Sequence, residues 1–245
     1  MTVKGDYHLH TKYSDGRNTT QEMIDAAVDL GLKEIAISDH SLGTLLCHHT
    51  PKSLAAQSLI IKKEKRIKVY RSIEANIISF SGDLDIDLDL IKNLDILHAG
   101  FHRYVKTLNK KDYYHFIVKN GYGNSGKNPE LIEKNTAAYI NAMERYPIDV
   151  ICHLGHRAAV DAKKVFECAK SNGVYIELNE KHVDVIEPII EQAVKSGVMF
   201  ILGSDAHKSK NIAKFDKTIS LIEKYKIPYD KIAGIGAPLK IRPKA

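Results

Sequence analysis

Hydrophobic positions along the chain follow two alternating rhythms. Short runs of buried-strand character occupy residues 4–10, 34–40, 68–77, 95–102, 149–156, 174–179 and 199–205. Between them, residues 19–31, 53–65, 87–93, 129–145, 160–172, 184–196 and 211–225 carry apolar positions at helical spacing. Such alternation predicts a parallel sheet linked by crossover helices. In the first helix, Thr19 or Thr20 supplies the cap, Met23, Ile24, Ala27, Val28 and Leu30 share a stripe, and Gly31 ends it. Asp184 and Gly197 bracket another helix in the same way. Seven strands in 245 residues, with no long linker, low-complexity tract or repeat, predict a single closed α/β barrel domain spanning 1–245. Segment 103–128 breaks the rhythm: it follows a strand but is polar and rich in lysine and tyrosine. In a barrel, an insertion there lies over the mouth and serves as a lid.

Composition narrows the class. A 44% hydrophobic content suffices for a sizeable core, and the net charge of +6 comes from scattered lysines. That charge favours acidic partners such as phosphate esters or nucleic acid, and equally describes a mildly basic surface. Cys47, Cys152 and Cys168 lie far apart with no CxxC pair, which excludes a disulfide framework and a thiolate zinc site. The amino terminus has no apolar signal core and no run of about 18 apolar residues occurs, so a soluble, cytoplasmic protein without membrane contact is expected.

The strand ends carry the chemistry. The runs finish in His8 and His10, Asp39 and His40, Glu74, His102, His153, Glu177 and Asn179, and Asp205 and His207. His8 and His10 are two apart on one strand and project to one face, where they can grip one ion. Asp205 and His207 repeat that parity. Glu74 reads either as a carboxylate bridging two cations or as a salt bridge to an arginine. His102 ends its strand and is the better ligand, while His98, deeper on the same face, reads as a hydrogen-bonded core histidine. Asp39 points away from His40 in a regular strand, which suits orienting a ligand histidine rather than ligating. A barrel gathers these ends at one rim, and imidazoles mixed with carboxylates suit zinc, manganese or iron better than calcium.

Taken together, His8-Leu9-His10-Thr11 followed by Ser14-Asp15-Gly16, then Ser38-Asp39-His40, Glu74, His102, His153 and Gly203-Ser204-Asp205-Ala206-His207 resemble the PHP superfamily, named for polymerase and histidinol phosphatase domains. The resemblance covers essentially the whole chain and implies a distorted seven-stranded (β/α) barrel with three divalent metal ions at its mouth. It implies that His8, His10, Glu74 and Asp205 hold one ion, that Glu74, His102 and His153 hold a second, and that Asp15, His40 and His207 hold the third. The chain departs from the family's frequent His-Pro pairing by reading His153-Leu154-Gly155.

Clustered metals acidify a bound water from a pKa of about 15.7 to about 7 and clamp attacking and leaving oxygens in line. A free-standing phosphatase acting on a small phosphomonoester, with a metal-bridging hydroxide as nucleophile, is the expected activity. Glu74, Asp205 and His207 are expected to carry it. Arg103 and Arg157 follow strand ends where a guanidinium either grips phosphate or sits solvated in a loop. His156 and His182 either protonate a leaving group or lie on the surface, and Asn179 faces substrate or supports a ligand. The run from Gly121 to Gly126 fits GxGxxG but lacks a preceding strand, so a lid tip is expected rather than a dinucleotide site. Lys106, Lys110 and Lys111 interleave with Tyr104, Tyr113 and Tyr114, a pattern that also suits single-stranded nucleic acid, the alternative to a small substrate. His48 and His49 are expected on a loop surface, with contact to substrate as the alternative. A noncatalytic metal-binding scaffold is the third alternative.

Overall fold

Eight strands form one sheet in chain order: β1 (Gly5–Leu9), β2 (Glu34–Ile37), β3 (Lys68–Asn76), β4 (Ile96–Gly100), β5 (Val150–Ile151), β6 (Tyr175–Asn179), β7 (Phe200–Gly203) and β8 (Ile232–Ala233). Every neighbouring pair is parallel. The structure is a computed structural model and describes residues 2–45, 47, 50–122 and 125–244. His48 and His49, and the centre of the Gly121–Gly126 run, lie outside the described residues.

The sequence pattern predicts seven strands; the eighth has two residues and is too short to leave a periodic signal. It has a clear position in the closure. At the carboxyl ends, β1 meets the chain beyond β7 directly: Leu9 bridges Ala206, His10 N donates to Ala206 O at 3.0 Å and Ala206 N to His8 O at 3.3 Å. At the opposite end the two splay apart, β8 pairs with β7, and Lys4 N donates to Gly234 O at 2.7 Å.

Helix boundaries follow local chemistry. Thr19 caps the helix Thr20–Asp29 through a reciprocal box with Glu22. The predicted helix 184–196 divides into Val183–Ile186, a tight turn Glu187–Ile189, and Ile190–Ser196. Pro188 has no N–H to continue the ladder. On the outer face, Leu9, Ile35 and Ile37 pack against Met23, Ile24 and Ala27. Inside the barrel, Tyr7, Ala36, Tyr70, Ile96, Val150 and Ile201 form an apolar plug. Glu34 accepts the hydroxyls of Tyr7 at 2.5 Å and Tyr70 at 2.9 Å below it.

Two features bear on the mouth. The β1–β2 register shifts between Asp6 and Leu9, so Tyr7 joins the plug and the adjacent His8 also turns inward, its ring 4.9 Å from His10 and 5.4 Å from His98. Such a bulge re-aims a side chain without breaking the strand. The 103–128 insertion is anchored rather than loose: within Tyr113–Val118, a π-helical stretch, Phe116 and Ile117 are buried, and Phe116 meets Phe80 at 5.0 Å and Phe101 at 5.4 Å. Among the described residues no helix is long and apolar enough to cross a membrane.

Candidate metal centre

Six imidazoles and three carboxylates, Glu74 among them, converge from six strand ends and their loops around Glu74, at the carboxyl end of β3. Glu74 is buried, and its ion-pair partners among the described residues are all histidines; no arginine reaches it. Its Oε2 lies 3.3 Å from His8 Nε2, 3.6 Å from His10 Nε2 and 3.0 Å from His40 Nδ1. Its Oε1 lies 2.9 Å from His153 Nε2 and 3.4 Å from His102 Nε2. The two oxygens therefore face two different sets of nitrogens, which is the arrangement a bridging carboxylate needs. Burial opposes ionisation of Glu74, but His102, His8 and His40 outweigh it and hold the group well below the usual carboxylate range.

The remaining ligand atoms extend the cluster on both sides. His8, His10 and Asp205 each place one ligand atom within 4.8 Å of the others, as do His10, Asp15, His40 and His207. His8 Nε2 and His10 Nε2 approach to 3.0 Å, His10 Nε2 and Asp205 Oδ1 to 3.6 Å, and His207 Nε2 and Asp15 Oδ2 to 2.9 Å. Nitrogen and oxygen atoms thus lie close enough together to share an ion, and this mixed donor set fits zinc, manganese or iron. Cys152 also comes within 4.8 Å of His8 and Glu74. Burial and the Glu177 charge push its thiol well up, so it stays protonated and packs as a small apolar group.

A shell of buried polar groups aims these ligands, and sequence reading located only part of it. Glu177 accepts His8 Nδ1 at 2.6 Å and the His153 backbone N–H at 2.9 Å. Asn179, buried beside it, donates to Glu177 at 3.0 Å and to Asp205 at 3.4 Å, and its oxygen accepts Lys181 N at 2.9 Å. Asp39 accepts Thr11 N, Thr11 Oγ1 and Ser14 Oγ at 2.6 to 2.7 Å and so fixes the turn that carries Asp15. Ser14 Oγ lies 3.4 Å from His10 Nδ1. His98 shares a 2.7 Å hydrogen bond with Ser72, and burial lowers it to about 3.

Asp6 and the pair Asn76–Asp85 were not apparent from the sequence. Asp6 receives Ser204 N at 3.0 Å and Ala213 N at 2.9 Å, tying down the turn that presents Asp205, and burial pushes it up to about 6. His102 Nδ1 donates to Asn76 Oδ1 at 2.6 Å, which leaves His102 Nε2 turned towards Glu74, and Asn76 is itself held by Asp85. The one available signal for Asp6 was its spacing two residues before His8.

Backbone strain concentrates here. Five described non-glycine residues have positive φ, and three of them, His153 (31°), Arg157 (63°) and Asp205 (54°), belong to the mouth. Two glycines permit the packing: a Cβ on Gly203 would lie 2.0 Å from Glu177 Oε1, and one on Gly100 would lie 2.7 Å from His153 Cε1.

Beside the cluster opens a cavity of about 230 Å³, lined by Asp15, His40, Thr44, Phe101, His102, Arg103, Tyr104, His156 and Arg157. Arg157 is supported from the insertion: Ser125 Oγ donates to Arg157 O at 2.6 Å, and Arg157 Nη1 reaches Gly121 O at 3.5 Å. Arg157 Nε donates to His156 Nε2 at 3.1 Å. Burial and the nearby His182 lower His156 to about 4, so the ring is neutral near pH 7 with its proton on Nδ1. His182 stacks 4.1 Å from His156.

Comparison with known proteins agrees with this geometry. A probable phosphatase of Acetivibrio thermocellus is 27% identical over 239 residues, covering 93% of this chain and 89% of its own length. A probable phosphatase of Aliivibrio fischeri is 30% identical over 243 residues, covering 95% of this chain and 89% of its own. Among solved structures, histidinol phosphate phosphatase from Lactococcus lactis, in complex with zinc, L-histidinol and phosphate, superposes with a TM-score of 0.59 at 16% identity, over 91% of this chain and 94% of that one. That likeness supports the barrel. The PHP domain model matches residues 6–181, which includes all the clustered imidazoles and carboxylates except Asp205 and His207, and the chain belongs to the PHP domain family.

Proposed function

We propose that this chain is a metal-dependent phosphatase that hydrolyses a small phosphomonoester at the barrel mouth. One observation carries the reading: Glu74 turns its two oxygens to two groups of imidazoles, directly beside a cavity that also holds Arg103 and Arg157. In the assignment we favour, His8, His10, Glu74 and Asp205 hold one divalent ion, Glu74, His102 and His153 a second, and Asp15, His40 and His207 a third. Bound ions supply Lewis acidity and an acidified water.

The chain's own groups do the rest. Arg103 and Arg157, on the loops after β4 and β5, grip phosphoryl oxygens and hold the phosphorus in line. His156, neutral with Nδ1–H, donates a hydrogen bond to the leaving oxygen. Phe101, Thr44 and Tyr104 form the less polar wall that receives the organic part. A cavity of about 230 Å³ suits a small monoester better than a polymer strand. The relatives named probable phosphatases, and the phosphate in the Lactococcus lactis structure, support the same class.

The test is elemental analysis of protein purified without chelator, joined to a phosphomonoester panel that includes histidinol phosphate, on the same sample. Close to three metal ions per chain and turnover that chelation abolishes are expected. Metal-loaded protein that leaves the whole panel untouched overturns the reading. Release of mononucleotides from single-stranded DNA, lost when 103–128 is shortened, would replace it with the nuclease alternative, whose motivation is the exposed Tyr104, Tyr113 and Tyr114.

A further inference from the structure

Lys181 follows β6 by two residues and carries no metal-ligand signature, yet its ammonium sits at the rim of the cluster. Nζ donates to Asp205 Oδ1 at 2.9 Å and lies 2.7 Å from His207 Nδ1. An ammonium has three donors; Asp205 takes one, and His207 Nδ1, itself 2.9 Å from Asp205 O, takes a second only in the tautomer that places its proton on Nε2. The side chain remains 42% exposed, so the third donor faces solvent at the mouth. His207 is in turn 2.9 Å from Asp15, which lines the cavity.

The lysine is aimed by its surroundings. Asn179 Oδ1 accepts Lys181 N at 2.9 Å, and Asn179 is buried against Glu177 and Asp205. On its other side Glu180 accepts Lys217 N at 3.0 Å and Thr218 N at 2.9 Å, clamping the loop to the start of the helix Asp216–Lys224. The backbone on both sides of the charge is thus fixed, which removes most of the ordering cost that a free surface lysine meets on binding an anion. In sheet order, Arg103, Arg157 and Lys181 stand after β4, β5 and β6, three consecutive strand ends. Three consecutive strand ends of the same sheet thus each carry a cation into the loops at the mouth.

We propose that Lys181 is a phosphate-contacting residue of this site, its solvent-facing N–H engaging a phosphoryl oxygen while another N–H holds Asp205 in place. This rests on the phosphatase reading, and its test is built to separate the two. The probe is inorganic phosphate, titrated into metal-loaded wild type, Lys181→Met and Lys181→Arg by calorimetry, with metal content measured on each sample. Lys181→Met should keep its metal and bind phosphate about ten- to a hundredfold more weakly, the range for losing a hydrogen bond to a charged group. Lys181→Arg should recover part of that loss. If a phosphomonoester is turned over, KM should rise in parallel. Unchanged phosphate affinity in Lys181→Met overturns the proposal. So does a variant that loses a metal ion while its remaining affinity for phosphate per loaded site equals that of wild type, since the lysine would then only support ligands. Wild type that binds phosphate but hydrolyses no monoester defeats the phosphatase reading and leaves the Lys181 comparison intact.

Discussion

Replacing Glu177 by glutamine exchanges one oxygen for an NH2 group, and the neighbours decide which way the amide must lie. Oε2 receives the His153 backbone N–H at 2.9 Å and Asn179 Nδ2 at 3.0 Å, and a backbone N–H can only donate. The glutamine oxygen must therefore stay on that side. Its NH2 then faces His8 Nδ1, which in the native site donates to Glu177 Oε1 at 2.6 Å. To accept instead, His8 has to move its proton to Nε2, the nitrogen 3.0 Å from His10 and 3.3 Å from Glu74. A protonated Nε2 cannot ligate. The opposite amide orientation preserves His8 but faces NH2 against two buried donors, at about 1–3 kcal/mol for each one left unsatisfied. Either route weakens the ion held by His8. Partners of this kind typically contribute about 10- to 100-fold in metal affinity, or about 1.4–2.7 kcal/mol. Chelator competition on wild type and Glu177→Gln measures the affinity, and nitrogen-15 NMR of the imidazoles reads the His8 tautomer. Affinity within twofold of wild type, with His8 still protonated at Nδ1, would refute the reasoning.

Other substitutions probe separate parts of the argument. Gly203→Ala places a methyl where Glu177 Oε1 now lies 2.0 Å away, so about 1–3 kcal/mol of stability and part of the bound metal should be lost together, as urea titration and elemental analysis would record. Arg157→Met should raise KM with metal content unchanged, because the guanidinium lines the cavity and touches no ligand carboxylate among its recorded contacts. At the far end of the barrel, Asp149 accepts Leu97 N at 2.8 Å and Arg242 N at 2.7 Å and pairs with Lys244. Asp149→Asn should cost about 1–3 kcal/mol, because the amide's single oxygen can accept only one of the two backbone N–H groups and its NH2 faces the other. That is about 2–12 °C in melting temperature, with metal binding preserved. Burial raises Asp149 above 3.8 despite Lys244. Its folded form therefore binds the proton more firmly than the unfolded chain, and its contribution is present below pH 3.8 and lost as pH rises through the raised value. A pH series of unfolding curves should lose that component in the asparagine variant.

Much of the molecule is legible in one dimension because its signals are local. Period-two and period-3.6 runs fix which segments are strands and helices, and Thr19 marks a helix start. The ligand types are equally local: His8 and His10 share a face by parity, and Asp205 and His207 end a run whose glycine admits Glu177. The resemblance they support names the same nine residues that meet around Glu74.

What the chain does not write down is anything that depends on two distant segments arriving together. Asp39 reads in the sequence as orienting a ligand histidine, but only the fold shows that it holds Thr11 and Ser14 on the loop after β1, with Ser14 3.4 Å from His10. The two-residue β8 is defined by its pairing with β7 and by Lys4 N meeting Gly234 O, contacts between distant segments. Lys181 is one lysine among many until β6 and β7 lie side by side and bring Asp205 and His207 to it. Residue type and spacing set what each strand end can offer, since those properties are covalent. Barrel closure decides which offers meet, because hydrogen-bond partners and shared charge are properties of distance in space.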